Sequence, residues 1–311
     1  MTKGIHHITA IASNAQINVH FYSKVLGLRL VKKTVNQDDT STYHLFFGDK
    51  SGHPGMDLTF FIFQPSMPGR RGTGLVTTIS LAVPVGSLPF WKQRFIELKV
   101  KHDAVSERFA KKRLVFFDDD NQQLELVETP QSEDSEIWIT RDIKSENAIR
   151  SFHSANLSVV SRTTIEPLLT HVFGYEHMST DGHIHFYKTN ASSRANYLEV
   201  SEEPSQANGL NAAGTVHHIA FRATDEAEQS DMRKKVEELG LFPTEVIDRF
   251  YFKSVYFRTP AGILFEIATD SPGFTADEKE DDLGKKLALP PFLEHQRAAI
   301  ESQLPIVTPE E

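Results

Sequence analysis

Cysteine is absent from the 311 residues. That excludes disulfides, zinc–thiolate sites, iron–sulfur clusters and a cysteine nucleophile. No apolar run is long enough to span a bilayer. The first residues, Met1-Thr2-Lys3-Gly4-Ile5-His6-His7, lack a basic region followed by an apolar core. No secretory signal is therefore expected, and a cytoplasmic location is. A basic stripe is missing too: 33 Lys and Arg stand against 42 Asp and Glu, a net charge of −9. Nucleic acid is not an expected partner of such a chain. What the sequence does hold in quantity is histidine, 14 copies. Metal binding and proton transfer draw on that residue, although most copies are expected on the surface.

A fourfold repeat organises the chain. Val25-Leu26-Gly27-Leu28, Val172-Phe173-Gly174-Tyr175 and Glu238-Leu239-Gly240-Leu241 each close a helix-like apolar pattern, with the Gly suited to a left-handed cap. Glu97-Leu98-Lys99-Val100 follows the same pattern without the Gly. Each helix is preceded by a short apolar strand, beginning near Gly4, Thr77, Ser151 and Thr215. Each is followed by strand-like runs ending at Leu58-Thr59-Phe60-Phe61, Leu124-Glu125-Leu126-Val127, Tyr197-Leu198-Glu199-Val200 and Leu264-Phe265-Glu266-Ile267, where polar and apolar residues alternate. The reading is an α+β chain of four βαβββ modules, about residues 1–65, 73–130, 150–202 and 214–270. They form two halves, 1–130 and 150–270, linked by Pro130 to Glu146 and followed by a helical tail, 271–311. No module can bury both faces of its own sheet, so the modules are expected to pair into two cup-like barrels. The acidic segment Asp277 to Asp282 reads as a solvated linker to a terminal helix around Glu294 to Gln303.

Aligned by their strands, His6, His217 and His153 share one column, and His7, His218 and Ser154 the next. Glu125, Glu199 and Glu266 share a column that holds Thr59 in the first module. A cup of modules one and four then offers His7, His218 and Glu266, with Thr59 in the fourth corner. A cup of modules two and three offers Glu125 and Glu199 but no His in the matching column, and these two are expected to be exposed or salt-bridged. A buried carboxylate such as Glu266 needs a cation or donors. Either a metal ion or an arginine, Arg249 or Arg258, meets that need. Gly182-His183-Ile184-His185 lies outside the first cup and reads as a surface hairpin.

Four such modules, with His opening a strand and Glu closing the last, resemble the vicinal oxygen chelate superfamily, which includes glyoxalase I, fosfomycin-resistance proteins and extradiol dioxygenases. His6-His7-Ile8-Thr9, Val216-His217-His218-Ile219-Ala220-Phe221, the stretch from Asp248 to Glu266 and Leu289-Pro290-Pro291-Phe292-Leu293-Glu294 most resemble its hydroquinone-type ring-cleaving dioxygenases. The resemblance covers nearly the whole chain. It implies an Fe(II) ion, with Mn(II) as second choice, held by His7, His218 and Glu266, and two His plus one carboxylate leave positions open for substrate and O2. It implies supporting roles for His6, His217 and Thr9, and substrate-facing roles for Tyr256 and Arg249. Arg249 is read either as an oxyanion holder or as a surface salt bridge. A five-residue turn, 259–263, sets Tyr256 opposite Glu266 on the inner face. The implied partners are a small aromatic substrate and O2, with a homo-oligomer left open. The rival readings are a glyoxalase- or fosfomycin-type lyase or thiol transferase, for which Thr59 in the fourth corner is the wrong residue, and a non-enzymatic binder.

Overall fold

A computed structural model describes residues 2–130 and 136–310; residues 131–135 of the expected linker lie outside it. Module one contributes β1 (Ile5–Ala12), β2 (Arg29–Asn36), β3 (Asp39–Gly48) and β4 (Asp57–Ile62). Module two contributes β5 (Leu75–Pro84), β6 (Ser106–Arg108), β7 (Lys111–Phe117) and β8 (Gln123–Thr129). Module three supplies β9 (Ser151–Val159), β10 (Glu176–Asp181), β11 (Ile184–Lys188) and β12 (Tyr197–Glu202). Module four supplies β13 (Thr215–Ala223), β14 (Ile247–Asp248), β15 (Lys253–Arg258) and β16 (Leu264–Thr269). One curled eight-stranded sheet runs β14-β15-β16-β13-β1-β4-β3-β2, and the other β10-β11-β12-β9-β5-β8-β7-β6. The first cup thus joins the opening module to the closing one through β1 and β13, antiparallel. The second joins modules two and three through β5 and β9.

Helices cover the outer faces, which is why β1 and β9 are buried along their whole length. Module one has α1 (Ala15–Val19), capped by Asn14 accepting from the Ile17 N–H, running on into a π-helical turn, His20–Val25. Modules two and four have α2 (Leu88–Glu97) and α3 (Glu226–Glu238). The third module departs from the expected helix, with only a 3₁₀ turn, Arg162–Thr164, and a π-helical turn, Leu168–Val172. Glu166 and Pro167 are already helical and lead into the second of these, the proline lying in the first turn, where its missing N–H costs no hydrogen bond. All four helical segments end on a left-handed residue: Gly27, Gly174 and Gly240, and in module two Lys99 at φ 57°. The repeat constrains the backbone at this position even where the glycine is lost.

The tail closes with α4 (Arg297–Gln303) after several 3₁₀ turns. Its acidic segment is only in part the solvated linker that composition suggests: Asp281 and Asp282 are exposed, but the side chains of Asp277 and Glu278 turn in and grip the fully buried Lys32 of β2, with Asp277 Oδ1 2.7 Å from Nζ. Asp277 also accepts from the Tyr251 hydroxyl at 2.9 Å. The tail is strapped to the first cup by a buried ammonium that needs anions there.

Candidate metal centre

The central strands of both sheets are kinked at matching places. Between β1 and β13 the register runs Ile5↔Phe221 then His7↔Ala220, and Thr9↔His218 then Ala10↔Val216. His6 and His217 are therefore the extra residues of two β-bulges, related by the pseudo-twofold axis of the cup. The second cup repeats the device with Thr77 and His153. A bulge breaks the up-and-down alternation of a strand, so here the neighbouring histidines come together. His6 Nδ1 lies 2.9 Å from His7 Nδ1, and His217 Nδ1 2.8 Å from His218 Nδ1.

These contacts fix the protons. His6 Nε2 lies 3.1 Å from the Thr269 carbonyl, which only accepts, so His6 carries its hydrogen on Nε2. Burial, with His7 next in effect, holds His6 well below its ordinary pKa, so the ring is neutral and has no second hydrogen. His6 Nδ1 is then an acceptor, the His7 Nδ1–H donates to it, and His7 Nε2 is left as a bare lone pair. That lone pair faces Glu266 Oε2 at 3.1 Å and His218 Nε2 at 3.2 Å, while His218 Nε2 lies 2.9 Å from Glu266 Oε2. All three side chains are buried, Glu266 completely. Neither Glu266 oxygen has a properly oriented hydrogen bond. Burial alone would raise the Glu266 carboxyl; positive charge at the His7–His218 edge, which a bound ion would supply, holds it well below the usual carboxylate range.

Three acceptors within 3.2 Å of one another, with at most one proton among them, call for a cation. The arginine alternative is not realised: Arg249 forks onto Asp38 at 3.0 and 2.8 Å, and Arg258 donates to the Gly262 carbonyl. Two His and one carboxylate that meet from one side of a point leave further coordination positions open. Among the described residues this is the one cluster of His, Asp and Glu placed to share an ion.

The remaining expected residues surround this point. Tyr256 pairs with Glu266 across β15 and β16, the five-residue turn having set the register as expected. Its ring lies edge-on to His218 at 5.8 Å. Burial, followed by the charge of Glu266, raises the Tyr256 phenol, so it stays protonated at neutral pH. Arg249 lies 5.5 Å from the centre of the Tyr256 ring and lines the cavity wall. It is thus both a rim salt bridge and a cation at the cavity. Thr9 Oγ1 meets Thr59 Oγ1 at 2.8 Å, and Thr59 in turn meets His44 Nε2 at 2.9 Å. The fourth corner is thus held by a hydroxyl tied into a hydrogen-bonded row rather than by a carboxylate. Phe46, Phe61, Tyr251 and Phe252 complete the cavity. His183 and His185 sit apart, on the β10–β11 hairpin.

His44 is the residue that the sequence reasoning missed. It is partly buried, and desolvation followed by His7 and His218 holds it well below its ordinary pKa. The signal was available in β3, where His44 and Phe46 alternate onto the face that pairs with Thr59. The corresponding position on β7 is Arg113. In the second cup Arg113 Nη1 stands between Glu125 Oε1 and Glu199 Oε1, the latter at 2.7 Å, and Arg108 reaches Glu199 at 2.7 Å. Both glutamates are about 1% exposed, so of the two expectations for them, exposed or salt-bridged, only the second holds. A guanidinium supplies there the charge that a metal would supply in the first cup.

The chain matches the model of the Glyoxalase/Bleomycin resistance protein/Dioxygenase superfamily over residues 4–126 and 87–267. It is 42% identical over 307 residues to a Bacillus subtilis (strain 168) protein provisionally named ring-cleaving dioxygenase MhqE, covering 98% of this chain and 99% of that one. It is 35% identical over 300 residues to the chlorohydroquinone/hydroquinone 1,2-dioxygenase of Sphingobium indicum, covering 94% and 92%. The crystal structure of a provisionally named Bacillus subtilis dioxygenase superposes with a TM-score of 0.95 at 40% identity, over 100% and 99% of the two chains. The chain belongs to the glyoxalase/bleomycin resistance protein/dioxygenase superfamily, and within it to the ring-cleaving dioxygenases.

Proposed function

We propose that the enzyme opens hydroquinone-type rings with O2 in an Fe(II)-dependent reaction, Mn(II) being the second choice, and that His7, His218 and Glu266 hold the ion. The observation that carries the metal is the meeting of three buried acceptors with too few protons to share. The substrate class rests on the Sphingobium relative, whose name specifies hydroquinones. Bound there, Fe(II) would favour the phenolate form of a coordinated phenol and provide a redox centre for O2.

The chain's own residues do the rest. His6 and His217 accept from the Nδ1–H groups of His7 and His218, which aims the Nε2 lone pairs at the ion. The Phe46, Phe61 and Phe252 walls give a ring an apolar slot and keep water from it. Tyr256, held protonated, donates a hydrogen bond to oxygen on the substrate, and Arg249 steadies negative charge beside it. The row Thr9–Thr59–His44 fixes the opposite wall. Both O2 atoms enter the ring-opened product, so no external reductant is consumed. A cytoplasmic location suits this chemistry, and no helix among the described residues is long and apolar enough to cross a membrane.

The test is oxygen uptake by protein loaded anaerobically with Fe(II), across hydroquinone, chlorohydroquinone and catechol. One O2 per hydroquinone, with both atoms of ¹⁸O₂ in the product, is the expected result. His218→Ala should lose iron and uptake while keeping its circular dichroism. Iron-loaded protein that consumes no O2 with any of these rings would end the proposal.

A further inference from the structure

The second cup holds a cavity of its own, lined by none of the three metal-binding residues. Its volume, about 130 Å³, is close to the ~150 Å³ that takes up benzene in an engineered protein interior. Lys111 comes from module two, Phe152, His153 and Tyr197 from module three, and Arg150 and Arg194 complete the lining. Among the described residues no Asp or Glu lines it, although the whole chain carries nine more acidic than basic residues.

The cations are incompletely used. Arg194 gives one Nη to Asp49 at 3.2 Å, and Arg150 gives one to the Ser145 carbonyl. The Nε groups of both are buried without a partner. Lys111 makes no ion pair among the described residues, its Nζ lying 5.9 Å from the Tyr197 ring centre. His153 is the most telling group. It is the bulged residue of β9, the counterpart of His217, but its neighbour is Ser154, whose Oγ lies 3.0 Å from Nδ1. Its Nε2, at the far edge of a ring only 2% exposed, has no partner at all. A buried polar nitrogen left so is unfavourable, and a ligand atom recovers that loss. The ring is held in place by stacking on Tyr197 at 5.0 Å and 23°, so the Nε2 edge is fixed in direction.

We propose that this cavity binds a small planar carboxylate, its anionic end toward Lys111 and Arg150 and its ring or conjugated chain against His153 and Tyr197. The charge calls for an anion, and the aromatic walls and ring-sized volume call for a flat one rather than inorganic phosphate. The proposal stands apart from the reading of the metal centre, because none of the metal-binding side chains takes part.

Fluorine NMR titration of the full-length protein with 4-fluorobenzoate tests it, with 4-fluorobenzyl alcohol and inorganic phosphate in parallel. The expected result is saturable binding of the benzoate alone. Lys111→Gln and Arg150→Gln should each weaken it about tenfold or more, the worth of one charge-assisted hydrogen bond. Ala82→Leu, which fills the same cavity without altering charge, should abolish it and guards against misfolding of the charge variants. His218→Ala should bind as the wild type does. Absence of saturable binding at millimolar benzoate overturns the proposal. So do equal competition by phosphate, indifference to the Lys111, Arg150 and Ala82 substitutions, and loss of binding in His218→Ala, which would place the benzoate at the metal centre.

Discussion

Arg113→Met removes the guanidinium at the heart of the second cup without leaving a hole. Glu125 and Glu199, each about 1% exposed, are then left with Arg108 as the remaining cation and the Ser80 hydroxyl donating to Glu125 at 2.6 Å, and the cluster goes from two charges of each sign to a net −1. Breaking a buried ion pair from one side costs about 3–5 kcal/mol, because the remaining charge is neither solvated nor paired. At roughly 2 °C per kcal/mol for a chain of this size, Tm should fall by about 6–10 °C at pH 8, read by calorimetry. The pH dependence supplies the check. Burial already raises the Glu199 carboxyl, against the pull of Arg113, so removing Arg113 raises it further above the unfolded value. A raised carboxyl costs nothing below the unfolded pKa and its full amount above the folded one. The deficit should therefore shrink as pH falls from 8 toward 5, where Glu199 takes up a proton. Arg113→Met/Glu199→Gln, which restores neutrality, should recover at least half of it. A loss below about 1 kcal/mol, or one that is the same at both pH values, would refute the view of Arg113 as the substitute for a metal.

Removing the partners of the ligand histidines should weaken the ion without abolishing it. His6→Ala or His217→Ala is expected to lower iron affinity about 10–100-fold in a chelator competition, with near-normal turnover at saturating iron. Glu266→Gln should cost more, because it takes the only charge from the ligand set; iron content after dialysis reads this, and retention of stoichiometric iron would contradict the assignment. Tyr256→Phe should lower kcat more than it raises KM, if the phenol's hydrogen bond forms mainly as charge develops; a pure KM effect would make it a binding residue only. Asp118, whose carboxyl is raised by burial to about 7, accepts from the Tyr22 hydroxyl at 2.9 Å. A raised acid binds its proton in the folded state over pH 4–7, so it contributes a fall in stability as pH rises through that window. Asp118→Asn should flatten the fall in denaturant titrations, and an unchanged slope would count against it.

Much of this protein was legible from residue order alone, because a repeat carries its own internal controls. The columns that set His7 with His218, and Glu266 with Thr59, needed only strand periodicity and comparison between modules. So did the placing of Tyr256 opposite Glu266, since turn length fixes hairpin register. Three things were decided by the folded chain. The bulges at His6 and His217 arise from the pairing of β1 with a strand more than 200 residues away, and no local pattern shows where such a mismatch falls. His44 becomes a cavity residue only when β3 curls over the centre, and a lone histidine in an alternating strand looks like any other until the inner face is known. Asp277 and Glu278 read as solvated until Lys32 is found buried beside them. Periodicity reports which way a side chain faces along its own strand, whereas burial of charge and convergence on one point depend on what distant segments bring to it.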